Sequence, residues 1–198
     1  MSFVRKGNPD DETFIVHFDD EARLDQDFTA SIADLEKALA GASPFGQTAI
    51  YDALILGLDH MESAKEQKRA ILLITDGVDN VSKHTLAEAI DATKRAHVAV
   101  YTVGLLSLSG GEKAEDSLIQ IAEASGGRAF FPQSVEEAHM IMERVARDLR
   151  EQYTLGYFPT NANRDGAWRS VRVEVTPPAN FSPKGKLNAN YRHGYYGR

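Results

Sequence analysis

The sequence contains no cysteine. Disulfide bridges, thiolate metal centres and a cysteine nucleophile are therefore excluded, and the redox compartment is left undecided. Positive charge is short as well: 22 Lys and Arg stand against 29 Asp and Glu, a formal charge of −7. Such a chain lacks the broad basic footprint that nucleic acid or an anionic membrane attracts, so nucleic acid is not an expected partner. No apolar run approaches the roughly 20 residues that span a bilayer, and the opening MSFVRKGNPDDE lacks the apolar stretch of a signal peptide. The six histidines, His17, His60, His84, His97, His139 and His193, never fall at H-x-x-x-H or H-E-x-x-H spacing, which argues against a zinc site. Phosphate-cradling glycine loops, G-x-S-x-G, internal repeats and low-complexity tracts are also missing. What remains, with 198 residues of which 42% are hydrophobic and 26% charged, is the composition of an ordinary globular chain with one sizeable core.

Strand and helix patterns alternate up to about residue 150. The segment 14–18 (FIVHF) reads as a strand, and 23–28 as an edge strand. Ser31-Ile-Ala-Asp34, Thr85-Leu-Ala-Glu88 and Ser134-Val-Glu-Glu137 each have capping-box form ahead of a helical pattern. Between them the pattern predicts a helix over about 48–65 and strands over 70–75 and 98–103. A helix over 115–125 stops at Gly126-Gly127, and a short strand follows over 128–131. The last helix places Ala138, Ile141, Val145 and Leu149 on one face. Repeated βα units imply an α/β, three-layer, doubly wound and mostly parallel sheet with helices on both faces. From Tyr153 the texture changes to aromatic-rich extended segments, YTLGYFP, WRSVRVEVTPP and LNANYRHGYYGR, separated by turn signals that include Ser182-Pro-Lys-Gly. Val171, Val173 and Val175 alternate with charged residues as in a half-exposed antiparallel strand. We therefore expect an α/β domain over 1–152 and a small β extension over 153–198. Its aromatics, Tyr157, Phe158, Trp168, Tyr191, Tyr195 and Tyr196, are expected to cover an edge of the core.

The most informative stretch is AILLITDGVDN, residues 70–80. A fully apolar strand there delivers Asp76 to its carboxyl end, where open α/β sheets bind their ligands. Simpler roles exist for each polar group nearby. Asp76 could cap local backbone N–H groups, Thr48 could be the N-cap of its helix, Asp79 and Asn80 are turn formers, and Asp52 could support a cap.

Taken together, FIVHFDD, the loop-to-helix segment GQTAIYDAL from Gly46, ILLITDGVDN, VAVYTVG and LIQIAEASGGRAFF resemble a von Willebrand factor type A domain. The tail, EQYTLGYFP with WRSVRVEV and NANYRHGYYGR, is similar to the bacterial subgroup called VWFA-related domains. The resemblance covers nearly all the chain from Thr13. It implies a metal-ion-dependent adhesion site built from three loops: a D-x-S-x-S motif, a threonine that maps onto Thr48, and the aspartate of T-D-G that maps onto Asp76. Asp79 and Asp52 are weaker candidates, acting through water or through neighbouring ligands. A hard cation, Mg²⁺ or Mn²⁺, suits such oxygen donors and leaves positions for a partner's carboxylate.

The D-x-S-x-S motif occurs nowhere in the chain. In the family it closes a central strand, and residues 1–6 resemble the last turn of the helix that follows that strand. The segments 14–18 and 70–75 would flank the absent strand, leaving two apolar edges that require partners. They could close on each other, receive a strand from another chain, or reflect a truncated gene boundary, the reading we favour. The functional expectation is a non-catalytic protein-binding module with a partial metal site of weak affinity and a protein ligand presenting an acidic side chain. Two other classes are carried beside it: a metal-free scaffold that self-associates through its strand edges, and an enzyme using Asp76 and Asp79 with Mg²⁺ for hydrolysis or phosphoryl transfer.

Overall fold

In the computed structural model, residues 8, 10–41, 46–66, 68–105, 111–161, 163–180, 187 and 189–197 are described. The expected helix turn at 1–6 and the turn beginning at Ser182 lie outside them. The chain opens on an antiparallel pair, β1 (Thr13–Phe18) and β2 (Ala22–Thr29), with Val16 opposite Leu24 and Phe18 opposite Ala22. Helices α1 (Ile32–Ala40) and α2 (Ile50–Met61) follow. Then come β3 (Ala70–Thr75), α3 (Leu86–Arg95), β4 (Ala99–Gly104), α4 (Glu112–Ser125), β5 (Ala129–Phe130) and α5 (Val135–Arg150). Two three-residue strands, β6 (Trp168–Ser170) and β7 (Gly194–Tyr196), form an antiparallel ribbon.

Strands β3, β4 and β5 make a parallel sheet in that order, with Ala70 opposite Ala99 and Thr75 opposite Gly104. Side chains of a strand alternate between faces, and β4 shows the two layers this creates. Val100 packs with Leu54, Leu58, Ala89 and Ile121 of α2, α3 and α4, and the Thr102 hydroxyl donates to the Leu118 carbonyl of α4 at 3.1 Å. Tyr101 and Val103 point the other way, to Phe130 and to Val145, Ile141 and Leu149 of α5. The α/β architecture with helices on both faces is thus as the sequence predicts.

Three capping serines and threonines act where expected. Thr85 and Glu88 form a complete reciprocal box at the start of α3. Ser31 and Ser134 accept from the N–H three residues on, at Asp34 and Glu137. Gly126 ends α4 in the left-handed conformation, φ +80°.

One of the three alternatives weighed for the two strand edges, and one expectation for the tail, need correction. First, β1 and β3 do not close on each other: among the described residues they belong to separate sheets. Helix α2 spans both, and a Cβ at Gly57 would stand 3.4 Å from Ile71 of β3 and 3.8 Å from Phe14 of β1. Second, the strand expected over Val171, Val173 and Val175 is confined to Trp168–Ser170, with one further bond from the Val171 N–H to the His193 carbonyl. Alternation alone does not make a strand, because the ladder requires a partner edge, and β7 supplies only three residues. The aromatics divide accordingly. Tyr196 donates to Asp91 at 2.7 Å, under the Arg95 guanidinium 4.5 Å from its ring, and Trp168 packs edge-on against it. Tyr157 and Phe158 stand exposed and cover no core.

Candidate functional site

The carboxyl ends of β1 and β3 meet at one loop, residues 46–49, through four hydrogen bonds. Gln47 N–H donates to Asp20 Oδ1 at 2.7 Å, and Ala49 N–H to the Asp19 carbonyl at 3.1 Å. Thr48 N–H donates to Asn80 Oδ1 at 2.8 Å, while Asn80 N–H returns a bond to the Thr48 carbonyl at 3.1 Å. Both strands therefore point their carboxyl ends to the same end of the molecule. Gly46 makes the approach feasible. Its φ of 134° disfavours other residues, and a Cβ there would meet Asp19 Cβ at 3.0 Å.

Helix α2 begins without a side-chain cap of its own, for its N-cap is Ala49 and not Thr48. The orphan N–H groups of its first turn are satisfied from a distant loop instead. Tyr51 N–H donates to Asp79 Oδ2 at 3.1 Å, and Asp52 N–H to Ser82 Oγ at 3.1 Å. Ser82 Oγ in turn donates to Asp79 at 2.5 Å. Asp52 answers across the same gap by accepting from the N–H groups of Lys83 and His84, each at 3.0 Å, and from His84 Nδ1 at 2.7 Å. Burial pushes the Asp52 carboxyl up, but the Lys83 and His84 N–H groups and the His84 imidazole outweigh it and hold it below the ordinary aspartate range. A negative charge on Asp52, in the first turn, also suits the helix dipole.

These contacts divide the polar residues anticipated from sequence into two sets. Asp52, Asp79 and Asn80 are engaged in fastening the 79–84 loop to α2 and to Thr48. The Thr48 hydroxyl and the exposed Asp76 carboxylate take no part in the hydrogen bonds and ion pairs among the described residues. Thr75 makes the turn ahead of Asp76 self-sufficient, its hydroxyl exchanging bonds with Gly77 N–H at 3.2 Å and with the Gly77 carbonyl at 3.3 Å. Asp76 is therefore not needed as a local cap. Asp20 and Ser82 were missed as site-building residues. The acidic turn after β1 was the available signal for Asp20, since a carboxylate just past a strand's carboxyl end is placed to accept from a neighbouring loop.

Against a six-coordinate hard cation, the donor set is incomplete. One uncommitted hydroxyl, of Thr48, and one uncommitted carboxylate, of Asp76, leave most positions to water or to a ligand. Among the described residues, no group of three or more His, Asp or Glu could hold a metal ion.

The fold has relatives. The crystal structure of conserved hypothetical protein BatB from Bacteroides thetaiotaomicron is similar at 18% identity and TM-score 0.59, over 76% of this chain and 84% of that one. A von Willebrand factor type A protein from Catenulispora acidiphila is similar at 20% identity and TM-score 0.62, over 75% of this chain and 36% of that one. Proximal thread matrix protein 1 from the mussel byssus, with a zinc-occupied MIDAS motif, is similar at 23% identity and TM-score 0.57, over 73% and 37%. The chain thus spans little more than a third of the latter two. At these identities the likeness speaks for the fold alone. No curated protein is matched. The model of the von Willebrand factor type A domain matches residues 1–144, and with the parallel sheet between two helix layers this places the chain in the von Willebrand factor type A domain family.

Proposed function

We propose that this chain is a non-catalytic, adhesion-type binding module in which Thr48 and Asp76 form a partial metal-ion-dependent adhesion site. One observation carries the reading. Of the polar groups the sequence brings to the carboxyl end of the sheet, the Thr48 hydroxyl and the Asp76 carboxylate are left uncommitted, while Asp52, Asp79 and Asn80 fasten the loops around them. Mg²⁺ or Mn²⁺ is the fitting cation, and its open positions would accept a carboxylate from a protein ligand. A zinc-occupied MIDAS motif in the similar mussel byssus protein is consistent with a metal in a domain of this fold. An enzyme that pairs Asp76 with Asp79 finds less support, because both oxygens of Asp79 are already engaged. In this reading residues 1–152 carry the site and 153–198 form an accessory β segment.

Titration calorimetry with Mg²⁺ and Mn²⁺ tests it. The expected result is weak binding, on the order of millimolar for a site that displaces so little water, and its loss in Thr48→Ala and in Asp76→Ala. Heat unchanged in both variants would overturn the assignment.

The second reading, self-association without metal, is favoured by a separate feature. Strands β1 and β3 each keep one edge without a ladder partner among the described residues, and such edges recruit strands.

A further inference from the structure

The tyrosines of this chain differ in what holds them. Tyr101 is buried, its hydroxyl accepting from Gln152 at 3.3 Å, and Tyr51 packs against the core from α2. Tyr191 lies edge-on against His193 at 4.8 Å, and Tyr153 projects into solvent, 92% exposed. The terminal ribbon then separates two consecutive tyrosines, because successive strand residues point to opposite faces. Tyr196 faces α3 and donates to Asp91 at 2.7 Å. Tyr195 turns to the other face, where Arg169 stands opposite it in the ladder with its guanidinium 6.0 Å from the ring. On that face Tyr195 meets Tyr157 of the segment after α5, edge to face, with ring centroids 6.3 Å apart. Among the described residues no other two tyrosines are in ring contact.

The contact ties a segment without a ladder to a segment that has one. Residues 152–159 carry no helix or strand, and beyond them Arg169 donates to the Asn161 carbonyl at 2.5 Å and to the Asn163 carbonyl. Two phenol oxygens of unlike character are thereby set side by side. The Tyr157 hydroxyl, opposed by burial and reinforced by Arg169, holds Tyr195 below the ordinary tyrosine range, while the same contact raises Tyr157. Tyr157 therefore donates and Tyr195 accepts. A phenol oxygen that holds negative charge gives up an electron more readily than a neutral one, so Tyr195 is the first ring to be oxidised.

We propose that Tyr157 and Tyr195 form an oxidative coupling site, where a one-electron oxidant of the peroxidase class joins the two rings as a dityrosine that fastens the segment after α5 to the terminal ribbon. Each phenol gives up one electron and one proton. The two phenoxyl radicals then form one carbon–carbon bond between ring positions adjacent to the hydroxyls. Each of those carbons sheds its hydrogen as a proton while the oxygen on the same ring takes one up, so both phenols are restored. In all, two electrons and two protons leave, and one hydrogen peroxide accepts them to become two waters. In a chain without cysteine no disulfide can serve this purpose, and a covalent closure of this kind restricts the unfolded chain as a disulfide does.

The test treats the whole chain, at high dilution, with a haem peroxidase and hydrogen peroxide. The monomer is then read for blue dityrosine fluorescence, for mass and by peptide mapping. The expected result is a monomer lighter by two hydrogens and a linked peptide pair carrying Tyr157 and Tyr195. Monomer fluorescence should be lost in Tyr157→Phe and in Tyr195→Phe and kept in Tyr153→Phe. Tyr157 is 58% exposed, so its variant should keep the fold, and the same treatment in urea, which releases the contact, should abolish the linked pair. Exposure alone would instead select Tyr153. A monomer coupled through Tyr153, coupling that survives Tyr157→Phe or is undiminished in urea, or chains that couple only to one another would each overturn the proposal. None of these readouts bears on the metal titration, which reads Thr48 and Asp76.

Discussion

At the scale of single residues, the constraint on glycine is sharpest at the end of α4. Gly126 holds φ +80°, and a Cβ there would lie 2.4 Å from the backbone of Tyr191 and Arg192. Two penalties coincide. An L-residue in the left-handed region costs about 1–2 kcal/mol, and backbone overlap at that distance forces the 189–193 segment away from the helix end. Gly126→Ala should therefore lower stability by about 2 kcal/mol or more, read as a shift in urea midpoint. Gly41→Ala is the matched control. Gly41 also terminates a helix, but its φ is −81° and its nearest contact is an ordinary 3.4 Å. Equal effects for the two substitutions would overturn both the left-handed strain at Gly126 and its contact with Tyr191.

At the scale of an element, α3 is the helix with the most complete set of local instructions. Thr85 Oγ1 accepts from Glu88 N–H at 3.3 Å and donates to Glu88 Oε2 at 2.8 Å, and the same carboxylate oxygen accepts from Thr85 N–H at 2.7 Å. Lys94 and Arg95 occupy its last turn, where positive charge suits the helix dipole. Its inner face buries Ala89 and Thr93, and the Thr93 hydroxyl returns a bond to the Ala89 carbonyl at 2.8 Å, leaving no orphan oxygen in the core. Removing the cap through Thr85→Ala should cost about 1 kcal/mol. Because the two arms of the box support each other, Thr85→Ala/Glu88→Ala should cost less than the sum of the single changes, as a double-mutant cycle in urea will show. Simple additivity would mean the box is not formed.

At the scale of the whole molecule, acid stability follows from where the carboxylates sit. Asp52, Glu88 and Asp91 are all held below their ordinary ranges, and all lie on α3, on α2 where it meets the loop ahead of α3, or against the terminal ribbon. Hydrogen bonds from Thr85 depress Glu88, and the Arg95 guanidinium followed by the Tyr196 hydroxyl depress Asp91. A carboxylate with a lowered folded pKa contributes stability that is complete above its unfolded value, about 3.9 for Asp and 4.3 for Glu. That contribution is lost as the pH falls through the lower folded value. The urea midpoint should therefore hold down to about pH 5 and decline below about pH 4. Asp52→Asn removes one of these groups, so its stability deficit should shrink as the pH falls over the same window. A deficit independent of pH would remove Asp52 from the account. The Asp91 link also ties the terminal ribbon to α3, so the same acid range should loosen β6 and β7 from the domain.

The order of elements, their caps and the apolar strand at 70–75 were legible in the sequence because each is written in neighbouring residues. Alternation, 3.6-residue periodicity, Ser or Thr three residues before an acid, and glycine at a helix end all act within one or two turns of chain. Thr48 and Asp76 were legible as candidates through resemblance. What separated them from Asp52 and Asp79 was not, because the decisive bonds join residues 28 to 32 apart, from Tyr51 to Asp79 and from Asp52 to His84. No local pattern says which carboxylate will be claimed by a distant N–H. The tail shows the same limit from the other side. Residues 171–175 have the alternation of a strand and 153–158 its composition, yet a ladder forms only where another edge stands 4.7–4.9 Å away. Side-chain patterning decides which segments are able to be strands and helices, whereas the tertiary structure alone decides which backbone edges and which oxygens are left without partners, because pairing depends on what folding brings alongside.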